Sequence, residues 1–207
     1  MIKPKKNTLV YRFFVWYIAR IIKQNFNSFN FNTIDLQKDK AILLLANHYS
    51  WWDGFALFHL NNLYLKKQFH VMIIENTAQK IWFMKYLGAF SIQHNSRSML
   101  QSLQYAGQLL NKPNNLVLIF PQGKLHTSHI SKIEFQKGVQ KVINFSKKQF
   151  QYLFSVALTD YFENKKPNLY FHLKQHNPTD FKTLNDLENS YHQHYQLALK
   201  KQNETIV

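Results

Sequence analysis

The sequence predicts an α/β fold, with a mostly parallel sheet flanked by helices and an amphipathic helix at the N-terminus. Two observations carry this reading. Apolar runs such as "KAILLLAN" (Lys40 to Asn47) and "NNLVLIF" (Asn114 to Phe120) are unbroken and end on polar residues, as strands covered on both faces do. Segments with helical spacing lie between them, and strands alternating with helices make a largely parallel sheet. At 207 residues the chain suits one domain with a sizeable core.

The elements follow in order. "LVYRFFVWYIARII" (Leu9 to Ile22) has helical spacing, and Gln24 to Asn32 is an Asn-rich polar connector. The run ending at Asn47 is a strand, and a helix enters near Asp53 and runs to about Leu65. "FHVMIIE" (Phe69 to Glu75) is a second strand. "TAQKIWFMKYLG" (Thr77 to Gly88) reads as a helix capped by its glycine. "AFSIQ" (Ala89 to Gln93) is a short strand, and Ser96 to Lys112 has helical spacing up to Pro113. Asn114 to Gly123 is a buried strand ending in a Pro-Gln-Gly turn. Glu134 to Lys148 is a helix with a lysine face. Phe150 to Thr159 and Asn168 to Lys174 are late strands. Asn177 to Gln202 closes the chain as an amphipathic helix, with Thr179 or Asp180 as its N-cap.

Composition narrows the partners. Cysteine is absent, which removes disulfides, thiolate metal sites and a cysteine nucleophile. Lys plus Arg number 26 against 11 acids, a net charge of +15. That excess suits a polyanionic partner, an anionic membrane surface or an acidic cofactor or carrier, unless it reflects genome composition alone. The arginines are Arg12, Arg20 and Arg97. Base-edge readers lean on arginine, so no nucleic-acid partner is expected. Lys132, Lys137, Lys141, Lys147 and Lys148 form either a solvated face or a docking strip for anions. His126 with His129, and His192 with His194, lack carboxylate or cysteine companions, so no metal is expected.

The N-terminal helix is shorter than the roughly 20 apolar residues that cross a bilayer. It lacks a small-residue cleavage site, which argues against a signal peptide. Arg12, Ala19, Arg20 and Lys23 share one sector of the wheel, and Leu9, Phe13, Tyr17 and Ile21 another. This pattern fits an interfacial helix and equally a helix packed on the core; both hold if one side packs and the other touches lipid.

"NHYSWWDGF" places His48 and Asp53 five positions apart at the end of a strand. On a helix such residues diverge by about 140°, and on a strand they face opposite ways. They meet only across a turn, and the crevice beyond strand carboxyl ends is where α/β sheets bind ligands. There Asp53 can hold Nδ1–H of His48 and leave Nε2 as a general base. No Gly-x-Ser-x-Gly elbow is present, so the base would act on a substrate hydroxyl.

This stretch resembles the N-H-x4-D motif of the glycerolipid acyltransferases, the family that includes lysophosphatidic acid acyltransferases. "LVLIFPQGK" (Leu116 to Lys124) resembles the F-P-E-G-T motif of that family, and "LGAFSIQHNSR" (Leu87 to Arg97) falls where it carries G-x-x-F-I-x-R. The resemblance extends from Leu9 to Thr159. It implies residues 33–207 as catalytic domain, after a membrane-associating helix and connector over 1–32. It implies His48 as general base, Asp53 as its orienting carboxylate, and acyl-CoA or acyl-carrier protein as donor, with no further cofactor. The acceptor would be a lysophospholipid or glycerol phosphate in phospholipid biosynthesis, at the cytoplasmic face of the cell membrane, with the protein peripheral or monotopic. Asn47 and Gly54 are expected to shape the turn, and Trp51 and Trp52 to wall the acyl path or pack. Phe120, Pro121, Gln122, Gly123, Lys124, His94 and Arg97 would line the acceptor pocket. Three departures from the pattern stand out: Gln122 replaces its glutamate, Lys124-Leu125-His126 replaces Thr-Arg-Ser, and His94 replaces an arginine. Without the bidentate arginines that suit phosphate, a non-phosphorylated lipid alcohol such as an amino-acid lipid is the alternative acceptor. A non-catalytic basic membrane binder is the remaining one.

Overall fold

A computed structural model describes residues 1–93, 97–147 and 149–206, with only the main chain of Arg97. Its centre is a seven-stranded sheet in the order β1-β7-β6-β2-β5-β3-β4. The strands are β1 (Ser28–Phe31), β2 (Ala41–Ala46), β3 (Gln68–Ile74), β4 (Ala89–Ile92), β5 (Asn115–Ile119), β6 (Phe150–Asp160) and β7 (Asn168–His176). All neighbours run parallel except β6 and β7. The helices are α1 (Thr8–Asn25), α2 (Asp53–Leu60), α3 (Glu75–Lys80), α4 (Arg97–Leu109), α5 (Gly138–Phe145) and α6 (Leu184–Asn203). The predicted α/β class with its mostly parallel sheet is what the chain adopts.

β2 shows why. Its six residues are all buried, and alternate side chains enter opposite layers. Ile42, Leu44 and Ala46 join Phe14, Ile18 and Ile22 of α1 and Phe55 and Leu57 of α2. Ala41, Leu43 and Leu45 join Leu103 and Ala106 of α4, Val139 and Val142 of α5, and Tyr191 and Tyr195 of α6. Full burial of such an apolar side chain is worth roughly 1.5–3 kcal/mol. Phe14, Ile18 and Ile22 therefore seat α1 firmly on the sheet.

Several boundaries differ from the sequence reading; the helix expected from Glu134 begins only at Gly138 and ends at Phe145. The connector Gln24 to Asn32 contains β1, an edge strand held to β7 by amide side chains. Asn32 donates to Leu173 O (3.0 Å) and accepts from Leu173 N–H (2.7 Å), while Asn27 and Ser28 both donate to Asn168. Those polar residues make a strand look like a linker. The helix expected over Thr77 to Gly88 breaks at Ile81: α3 stops at Lys80 and a separate 3₁₀ turn spans Met84–Leu87. Gly88 follows with φ 94°, and a Cβ there would lie 1.9 Å from Phe69 O. The helix over Asp53 to Leu65 ends in a wide π turn (Asn61–Leu65). The last helix is capped by Thr183, whose hydroxyl accepts from Asp186 N–H, and not by Thr179 or Asp180; Asn177 caps a short 3₁₀ turn before it. A second N-cap upstream obscured the true one.

Candidate active site

β2, β5 and β6 end at the same edge of the sheet, because all three run parallel. The chain leaves β2 at Asn47, which is 4% exposed. Its amide donates to Ala157 O (2.9 Å) and accepts from Ala157 N–H (2.8 Å), tying the exit of β2 to β6. His48 follows, then a turn, then α2.

Asp53 opens α2. One of its oxygens accepts from Tyr49 N–H (2.8 Å) and Ser50 N–H (2.9 Å), and lies 2.9 Å from His48 Nδ1. A carboxylate that already takes two main-chain protons is an acceptor for the third partner, so Nδ1 of His48 carries the proton. Nε2 is left with its lone pair. Asp53 is 4% exposed while the His48 side chain is 23% exposed, so the pair is dry on one side and reachable on the other. The Ser50 hydroxyl accepts from Trp52 N–H (3.1 Å), a role in the entry to α2.

The segment after β5 holds His48 from the other side. The Phe120 ring stacks on the imidazole, with centroids 4.0 Å apart and planes 15° off parallel. Gln122 Oε1 accepts from His48 N–H (2.7 Å), and His126 N–H donates to His48 O (3.0 Å). Pro121 is buried and its carbonyl accepts from Gln136 N–H (2.8 Å). Gly123 turns the chain with φ 73°, and Lys124 and Leu125 beyond it are exposed.

A cavity of about 320 Å³ lies beside Asp53. Phe26, Trp52, Ala56, Leu169 and Phe171 supply apolar wall, and Tyr49, Ser50 and Thr159 a polar edge. Burial, and then the Asp53 charge, push the Tyr49 phenol up, so it stays neutral beside the dyad. Burial raises Tyr191 and Tyr195 of α6 likewise.

A family model described as acyltransferase matches residues 28–156, more than half of the chain. The protein belongs to the acyltransferase family. A search of the curated proteins finds no match to the chain. The matched region of this acyltransferase starts at β1 and stops within β6, so it contains His48, Asp53 and the Phe120–Gln122 segment.

The residues singled out in the sequence do not all meet. His48, Asp53, Phe120 and Gln122 touch directly. Trp52 packs edge-on against Phe26 and lines the cavity, whereas Trp51 is 57% exposed and rests on Phe55. Gly54, expected to shape the turn, has no left-handed φ, and an added Cβ would meet nothing within 4 Å. The turn is made by the hydrogen bonds to Asp53 instead. His94 lies outside the described residues, and Arg97 begins α4. Among the described residues, no group of three or more His, Asp or Glu is placed to hold a metal ion. His194 donates Nε2–H to His172 O (2.9 Å) inside the α6–β7 packing.

Sequence reasoning missed Tyr49, Ala157, Thr159, Tyr191 and Phe26. For Tyr191 and Tyr195 a signal existed: they sit four apart on the apolar face of the last helix. Phe26 and Thr159 carry no local signal, since the cavity gathers them from distant segments.

Proposed function

We propose that the protein is an O-acyltransferase that moves a fatty acyl group from an acyl thioester to a lipid hydroxyl. The observation that carries this is the His48–Asp53 contact at 2.9 Å, with Nε2 left free on the more exposed side. Nε2 takes the proton of the acceptor hydroxyl as its oxygen attacks the thioester carbonyl carbon. The tetrahedral intermediate collapses, the C–S bond breaks, and the thiol leaves with a proton returned from His48. General-base help of this kind is worth about 10²–10⁴-fold. Acyl-CoA or acyl-carrier protein serves as donor, and the cavity beside Asp53 receives a hydrocarbon chain.

The acceptor is a lysophospholipid or glycerol phosphate, and the reaction belongs to phospholipid biosynthesis. The protein works at the cytoplasmic face of the cell membrane. Leu9, Phe13, Trp16 and Tyr17 of α1 are exposed on the side away from the buried Phe14 and Ile18, and Trp82, whose ring meets Phe14 edge-on, is exposed as well. Arg12, Arg20 and Lys23 flank them on the helix. Aromatic side chains edged by basic ones suit an anionic lipid surface. No described helix is long and apolar enough to cross a membrane.

A second acceptor reading rests on one observation. Gln122 is buried, and its oxygen is turned to His48 N–H. Of the expected phosphate-binding side chains, Lys124 is the described cation, and it is exposed. A single lysine discriminates a phosphate less than an arginine fork does, which favours a non-phosphorylated lipid alcohol. The test is initial-rate thiol release from acyl-CoA and from acyl-carrier protein, with the acylated product identified by mass spectrometry. Acceptors are lysophosphatidic acid, glycerol 3-phosphate, monoacylglycerol and an amino-acid lipid. Transfer to any of them supports acyl transfer, and a phosphate preference of a hundredfold, about 2.7 kcal/mol, removes the second reading. No acylated product from either donor with any acceptor would refute the proposal.

A further inference from the structure

The β2–β5 register pairs Leu45 with Ile119. Three residues further on, His48 comes level with Gln122, and Gln122 Oε1 accepts the main-chain N–H of His48 at 2.7 Å. A main-chain N–H only donates, so the amide oxygen must face it. The carbonyl of His48 accepts from His126 N–H at 3.0 Å. Both main-chain polar groups of His48 are therefore tied to the segment that follows β5. Gln122 is 4% exposed, so water does not replace this bond.

We propose that Gln122 is a positioning residue for His48, and that its neutral amide does this without placing a second negative charge beside the imidazole. The role of base rests on the acyl transfer proposed above; the effect on the imidazole's own titration does not.

The other charged and titratable groups around His48 come from five segments. Asp53 of α2 holds Nδ1. Tyr49 of the intervening turn and Tyr191 and Tyr195 of α6 are kept neutral by burial. Asp160, at the end of β6, accepts from the Gln202 amide at 2.6 Å. Lys124 and His126 follow β5, Lys124 exposed and His126 half-buried. A carboxylate at position 122 would still accept the His48 N–H, and that bond would favour its ionised form. Its charge would then favour the imidazolium, which is not a base.

The experiment compares wild type with Gln122→Glu and Gln122→Met. The His48 ring resonance, assigned by its loss in His48→Ala, is titrated by NMR. Gln122→Glu should raise its midpoint by about one pH unit, and the acid limb of the transfer profile should move with it. Gln122→Met keeps the length but loses the acceptor; kcat should fall by about tenfold or more, with the KM for acyl donor little changed. An unshifted His48 titration in Gln122→Glu would overturn the charge argument, and wild-type kcat in folded Gln122→Met would overturn positioning. If Gln122→Met does not fold, the Gln122→Glu titration decides alone. A shifted titration in a protein that transfers no acyl group would leave this inference standing and refute the proposed function. Transfer with an unshifted titration would do the reverse.

Discussion

The ring of Phe120 lies flat against the imidazole of His48, 4.0 Å between centroids. Stacking of this kind fixes the plane of the base while Asp53 fixes one of its edges. Together they leave the ring little freedom to turn, which is what aiming Nε2 at a hydroxyl requires. Phe120→Ala should lower kcat by about tenfold, with a smaller loss for Phe120→Leu, because an aliphatic side chain still fills part of the space. Phe120 is half-buried against the core, so Phe120→Ala should also lower the thermal midpoint, and kcat is compared on protein shown to be folded. Equal kcat for Phe120→Ala and wild type would show that the stack does not orient the base.

The cavity beside Asp53 predicts a limit on chain length. Ala56 and Ala157 both line it and are 1% and 2% exposed. Ala56→Leu or Ala157→Leu should move the optimum to shorter acyl donors while sparing the shortest. Overpacking costs typically about 1–3 kcal/mol, so stability is followed by calorimetry alongside rates over a series of acyl lengths. An unchanged length profile in a stable variant would place the hydrocarbon chain elsewhere.

Exposed aromatics of α1 and the neighbouring turn predict reversible binding to anionic vesicles. Trp16→Ser with Trp82→Ser should weaken cosedimentation, because both side chains are more than half exposed and hold little of the fold. Basic residues add about 1 kcal/mol each on an anionic surface, so high salt should release part of the wild-type protein. Vesicle binding that ignores both salt and the double substitution would exclude this surface.

Buried histidines predict acid sensitivity. Burial pushes His70 and His194 down to about 4. The unfolded chain binds protons near the ordinary value of about 6.5, so the native state takes them up later than the unfolded state does. Stability should be flat above about pH 6.5 and fall between there and pH 4, by at most about 1.4 kcal/mol per pH unit for each histidine. Burial also lowers His172 and His176, which adds to the trend. Urea midpoints at pH 7.5, 6 and 5 give the slope. His70→Phe should flatten it, and equal midpoints at pH 7.5 and 5 would contradict the assignment.

The central strands were legible because burial on both faces leaves an unbroken apolar run, as in β2 and β5. β1 was not, since Asn27, Asn30 and Asn32 perform edge pairing with side chains that also suit a loop. The dyad was legible from spacing plus the strand end before it. Its support was not: the contact of Gln122 with His48 depends on the β2–β5 register, and the cavity depends on how α1 and α2 sit over β6 and β7. A sequence carries such relationships only through the packed sheet.

The most direct test of the account is the rate of acyl transfer by His48→Ala, measured as thiol release matched to acylated product. The variant's fold is checked by circular dichroism. With Nε2 gone, the account predicts a loss of about 10²–10⁴-fold and an unchanged fold. Asp53→Asn, which can hold the wrong tautomer, should also lose most of its activity. Retention of more than about a tenth of the wild-type rate by His48→Ala would contradict a general base at this position.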